Sequence, residues 1–248
     1  MGYTGFSRIL LVVSEWIMKF VLTNIVWLLF NLPIVYFVLI LLYADTIEKL
    51  QLIVVTIAVL APFFFFPATT AMFGVVRDWI LGKNAMALIP SYWKYYKENY
   101  VRSLLGGIII VPIWSAWLYN FLTSGVKFAS ISFYFYVAIT ILLFAFTVHF
   151  FSDTVHFQVK LKDSLIKSIL LAIGNPHYTI GIAALSGMLV YLLFKYIPVF
   201  IPFCMGSIIA YLSFYAYYRI FLKMTSLVEK LEGSVDTTEQ NTEESQEK

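Results

Sequence analysis

Six apolar stretches, at about 20–43, 52–73, 103–122, 131–151, 178–194 and 199–222, leave this chain few ways to fold. A helix rises 1.5 Å per residue and a bilayer's hydrocarbon layer is about 30 Å thick, so each stretch is close to the length that crosses it. In hydrocarbon every backbone N–H and C=O needs a partner within the protein, which for single apolar stretches means helices. Charged residues make up only 12% of the chain, about half the share of a soluble domain. Lipid is therefore the expected solvent for most of the surface. The predicted fold is an all-α membrane protein. Six transmembrane helices occupy residues 1–232, and a disordered acidic tail follows at 233–248. The single cysteine, Cys204, allows no internal disulfide and no CxxC-type metal or redox site.

The polar connections carry a second pattern. Segments 6–19, 74–102 and 152–177 mix basic residues with aromatic or aliphatic ones and predict amphipathic helices in the membrane interface. In the first, Ile9, Leu10, Val13, Trp16 and Ile17 recur at helical spacing. Six crossings place both termini on one side. That side holds Arg8, Arg77, Lys94, Lys97, Arg102, Lys160, Lys167 and Lys223, while Lys49, Lys127 and Lys195 fall opposite. The positive-inside rule then puts both termini in the cytoplasm.

Two spans are interrupted by proline. Pro33 lies inside the first, and Pro62-Phe63-Phe64-Phe65-Phe66-Pro67-Ala68-Thr69-Thr70-Ala71-Met72-Phe73 ends the second. A proline inside a helix removes a backbone donor and crowds a carbonyl one turn back. In lipid such a defect must be covered by protein, so the second span should be broken near Thr69 and Thr70 and lie within the bundle. Asn24 and Asn31, seven residues apart, share a helix face that should also point inward. The pairs Ser103/Gly107, Ala183/Gly187 and Gly206/Ala210 place small residues one turn apart, where helices approach closely.

The motifs that carry chemistry are few. His149, Asp153 and His156 would share one face if the fourth span continued past Ser152, and two imidazoles with a carboxylate suit a divalent metal. The simpler reading is polar residues at a membrane boundary, so no metal or other cofactor is expected. Arg77-Asp78 reads as a headgroup anchor at the end of the second span. Asp45, Glu48 and Asp153 all fall at span ends, leaving no mid-membrane acid for proton coupling. There is no nucleotide loop, nucleophile elbow or HExxH motif, and no enzyme activity is expected. The aromatic and basic stretch Tyr92–Tyr100 lies between spans, which favours lipid over nucleic acid as its neighbour.

Asn31-Leu32-Pro33, the stretch from Pro67 to Phe73 with Arg77-Asp78 beyond it, and the Tyr92–Tyr100 segment together resemble the YesL family of small bacterial membrane proteins, which carry a domain of unknown function. The resemblance covers about residues 5–225. It implies a multi-pass protein of the bacterial cytoplasmic membrane, associated with carbohydrate-uptake ABC transporters and sensor kinases, with no established catalytic residues. Two functions follow as expectations. One is an accessory or regulatory protein docking on such a complex. The other is a small-solute transporter with its site at the broken helices. An ordinary importer permease is disfavoured, because the loop at 152–177 holds Leu171-Ala172-Ile173-Gly174 but no Glu-Ala-Ala. Candidate partner or substrate contacts are Asn31, Pro67, Thr69, Thr70, Arg77, Asp78, Lys94, Lys97 and Arg102.

Overall fold

The computed structural model describes residues 5–83 and 87–246, with side chains from Arg8 to Leu231. Its elements are α1 (Gly5–Phe30), α2 (Leu32–Leu41), α3 (Ile47–Leu60), α4 (Phe65–Ile80), α5 (Leu88–Thr123), α6 (Ile131–His156), α7 (Leu161–Gly174), α8 (Pro176–Tyr196) and α9 (Ile201–Gln246), with a short 3-10 turn at Pro198–Phe200. Among the described residues, five helices are long and apolar enough to cross a membrane, and a sixth crossing results if α3 and α4, bent by 52° at a short break, count as one. Large apolar side chains on their outer faces stay open, among them Leu10, Ile17, Ile108, Phe135 and Ile180. In water such a surface would be strongly unfavourable; against acyl chains it is not.

The boundaries differ from expectation in instructive ways. Segment 6–19 is not a separate interfacial helix. It runs without a break into the first span as α1, and Ile9, Leu10, Val13 and Ile17 form an outward face. Trp16 turns inward, its ring edge-on to Trp79 and Tyr211 at 6.2 and 5.6 Å. Likewise the Tyr92–Tyr100 stretch is the first part of the 36-residue α5, continuous with the third span. Only the third segment yields its own helix, α7. Helix α9 runs to Gln246, through residues whose composition predicts no fold.

Helix α4 is the centre of the bundle. Every residue from Phe66 to Val76 is buried, and so is Asp78. The break lies at 61–64, one to two turns before the threonines. Pro62 sits inside it, and the chain resumes when the Phe66 N–H reaches back to the Ala61 carbonyl at 3.0 Å. Pro67 falls in the first turn of α4, where the backbone donors have no helical acceptor anyway, so it shapes the entry to the helix rather than kinking its middle. Pro33 plays the same part at the start of α2, directly after Asn31.

Asn24 and Asn31 both point inward, each 1% exposed. Asn24 ties α1 to the start of α9: its Nδ2 donates to the Pro202 carbonyl at 2.7 Å and its Oδ1 accepts the Ser207 N–H at 3.0 Å. Two small-residue pairs serve close packing. Ser103 is fully buried and Gly107 rests on Pro62 and Phe66, while Gly206 lies against Asn24 beside buried Ala210. The third pair does not, since a side chain at Gly187 would meet nothing within 4 Å.

Candidate functional site

Helix α6 continues past Ser152 to His156, and this extension carries Asp153 among polar and charged side chains of three other helices. Asp153 is fully buried. Its Oδ1 accepts the Tyr217 hydroxyl at 2.8 Å and the Lys167 ammonium at 2.9 Å. Its Oδ2 accepts the Ser164 hydroxyl at 2.6 Å and the Arg102 guanidinium at 3.3 Å. Four donors from α5, α7 and α9 thus use the carboxylate's acceptor positions. A buried charge is tolerated when it is paired and hydrogen-bonded in this way.

Two arginines close the end of α6. Arg102 donates to the carbonyls of Thr154 and Phe157, and Arg77 to that of Val155. The last carbonyls of a helix lack intrahelical partners and carry the negative end of its dipole, which suits guanidinium groups. Arg77 also lies 3.5 Å from Asp78 and 3.3 Å from the Tyr95 hydroxyl, which itself donates to Asp78 at 2.5 Å. The expected headgroup anchor is therefore an inward-facing ion pair, because the carbonyls at the end of α6 offer Arg77 more than the interface does.

The remaining candidate residues divide by place. Asn31, Thr69 and Thr70 lie buried near the junction of α1 and α4, with Pro67 beside them. Asn31 donates to the Trp27 carbonyl at 2.8 Å, and Thr69 accepts the Trp27 indole N–H at 3.1 Å. The Thr70 hydroxyl and the Asn31 Oδ1 are buried with no hydrogen-bond partner among the described residues. Lys94 and Lys97 stay exposed on α5, with Lys97 over the ring of Trp93 at 4.6 Å. Asp153, Ser164, Lys167 and Tyr217 were absent from the sequence candidates for partner or substrate contact. The spacing of His149, Asp153 and His156 was the one signal that pointed at this face. The three do not converge: Asp153 faces four donors, His156 packs on the Phe157 and Phe221 rings at 4.6 and 5.1 Å, and His149 is buried with both ring nitrogens lacking a hydrogen-bond partner among the described residues.

Residues 20–121 match a family described as a protein of unknown function, DUF624. The chain is 31% identical over 218 residues to the uncharacterized protein YteU of Bacillus subtilis (strain 168), covering 85% of this chain and 84% of that one. It is 28% identical over 228 residues to the uncharacterized protein YesL of the same organism, covering 87% and 90%. This chain belongs to the YesL family. No solved structure matches it. The family match spans the second half of α1 from residue 20, all of α2 to α4 and nearly all of α5, and so includes Arg77, Asp78 and Arg102. Asp153, Ser164, Lys167 and Tyr217, which complete the charge cluster of this chain, lie beyond it.

Proposed function

We propose that this YesL-family protein is a non-enzymatic accessory or regulatory subunit of the bacterial cytoplasmic membrane, acting by contact with a carbohydrate ABC transporter or sensor kinase. The observation that supports this reading is the division of its basic residues. Arg77, Arg102 and Lys167 are engaged by buried acids and carbonyls inside the protein. Lys94 and Lys97 remain on the open face of α5 beside half-exposed Trp93, opposite buried Tyr92 and Tyr95. An exposed aromatic flanked by two lysines suits an acidic patch on a protein partner. The contact set expected from the sequence is thereby reduced, since Arg77 and Arg102 are not free to join it. Reversing both lysines, Lys94→Glu with Lys97→Glu, is expected to lower co-purification of the transporter's membrane subunits about tenfold or more while thermal unfolding of the protein is unchanged. Undiminished co-purification would remove this surface from the proposal.

In this reading both termini lie in the cytoplasm. With Cys204 replaced, a single cysteine at position 124 should label from outside intact cells and one at position 234 should not. Outside labelling at 234 would overturn the orientation.

A second reading, a small-solute transporter, draws on a cavity of about 340 Å³ beside α4, walled by Trp27, Thr69, Met72, Trp114, Thr147 and Phe151. Thr70 and Asn31, with buried unpartnered oxygens, are close to it in sequence. The walls are almost wholly apolar, which does not suit a sugar. Purified protein in liposomes is expected to show no saturable solute uptake under a sodium or proton gradient. Robust uptake would promote this reading above the first.

A further inference from the structure

The end of the bundle where α7 meets α9 carries a groove of about 360 Å³. Its walls include Lys167, Leu170 and Leu171 from α7 and Lys223, Met224 and Leu227 from α9. Leu170, Met224 and Leu227 are 64%, 51% and 49% exposed, so the groove is open and its sides are greasy. Lysines from two helices thus line an apolar trough, and Lys167, tied to Asp153, keeps its side chain 38% exposed.

The charge balance behind the groove is uneven. Asp153 brings one negative charge and meets two cations, Arg102 at 3.3 Å and Lys167 at 2.9 Å. Asp78 balances Arg77 and contributes nothing to spare. Lys223 has an exposed side chain with no ion pair among the described residues. Among the described ion pairs, the single charge of Asp153 is shared by Arg102 and Lys167, and Lys223 is left to the groove.

We infer that the groove between α7 and α9 binds an anionic phospholipid, its phosphate held between Lys167 and Lys223 and an acyl chain lying along Leu170, Met224 and Leu227. Three features select this occupant. Both helices belong to a chain with five or six candidate membrane-crossing helices among its described residues, and Lys223 follows the apolar stretch 199–222, where headgroups lie. A free phosphate would satisfy the lysines and leave the trough empty. A zwitterionic lipid would bring its own cation toward two ammonium groups, whereas phosphatidylglycerol brings a single negative charge. The site does not depend on which partner, if any, meets Lys94 and Lys97.

The test uses the full-length protein, purified in non-ionic detergent and stripped of lipid, with native mass spectrometry to count bound molecules. Phosphatidylglycerol is expected to bind about tenfold more tightly than phosphatidylcholine of the same chain length. Lys223→Gln should weaken it about fivefold and Lys223→Glu about thirtyfold, from roughly one step of headgroup attraction per charge. Lys223 is the residue to change because Lys167 also neutralises Asp153, and its loss would report on folding. Unfolding temperatures of the lipid-free variants should match that of the parent protein. Equal binding of the two lipids would overturn the inference, as would an unchanged affinity in Lys223→Glu. So would full displacement of the lipid by millimolar inorganic phosphate, which would mark the site as one for a free anion.

Discussion

Replacing Asp153 with alanine is expected to destabilise the protein by about 3 kcal/mol, at the lower end of the range for breaking a buried ion pair. The carboxylate is fully buried, and its loss strands Arg102, whose side chain is 16% exposed, and Lys167, at 38%. Lys167 can turn toward water, which keeps the cost from the top of that range; Arg102 has less freedom. The hydroxyls of Tyr217 and Ser164 lose their acceptor as well, and each buried donor left unmade adds to the cost. Thermal unfolding in detergent measures the total. A triple variant, Asp153→Leu with Arg102→Met and Lys167→Met, should be more stable than Asp153→Ala, because replacing a whole buried charge group by apolar side chains is often neutral. A loss below about 1 kcal/mol for Asp153→Ala would show that the cations find water easily and that the cluster does not hold α5, α6, α7 and α9 together.

The partners of Asp153 are the part of the site that the sequence pattern does not show. The all-helical membrane fold followed from apolar lengths alone, and the inward face of Asn24 and Asn31 followed from the cost of an amide in lipid. The burial of the stretch after Pro62 followed from the need to cover a backbone defect. Asp153 was placed at a span end because hydropathy falls at Ser152, although the helix continues for another turn. Together with α5 and α9, α7 covers the carboxylate, and α7 lies the other way round from its apolar pattern. Ser164, Ser168, Leu171 and Ala172 face inward, while Ile166, Ile169, Leu170 and Ile173 face out. In water the large apolar side chains would turn to the core. In lipid they gain nothing by doing so, and small residues that allow close approach take the inner face instead. Arg77 departs from its expected place for a related reason: a rule that sends span-end arginines to headgroups does not see the unpaired carbonyls of a neighbouring helix.

Gly107→Ala is expected to cost about 2 kcal/mol, from an overpacking penalty near the top of its usual range less about 1 kcal/mol for alanine's better helix propensity. An added Cβ would stand 2.8 Å from the Cα of Pro62 and 2.9 Å from the Phe66 ring. The first of these is backbone within the break between α3 and α4, held by a proline ring, and cannot swing aside as a side-chain tip can. The only relief is to lift α5 off the break. Gly187→Ala supplies the contrast, since it lies within α8 with nothing in reach of a new methyl group. There the propensity gain stands alone, and stability should rise by about 0.5–1 kcal/mol. The same chemical change is thus expected to move the unfolding temperature in opposite directions at two helical glycines. If both variants were stabilised alike, α5 would not be seated on the proline break. The broken span would then have to be covered by some other part of the bundle, since hydrocarbon cannot satisfy its open carbonyls.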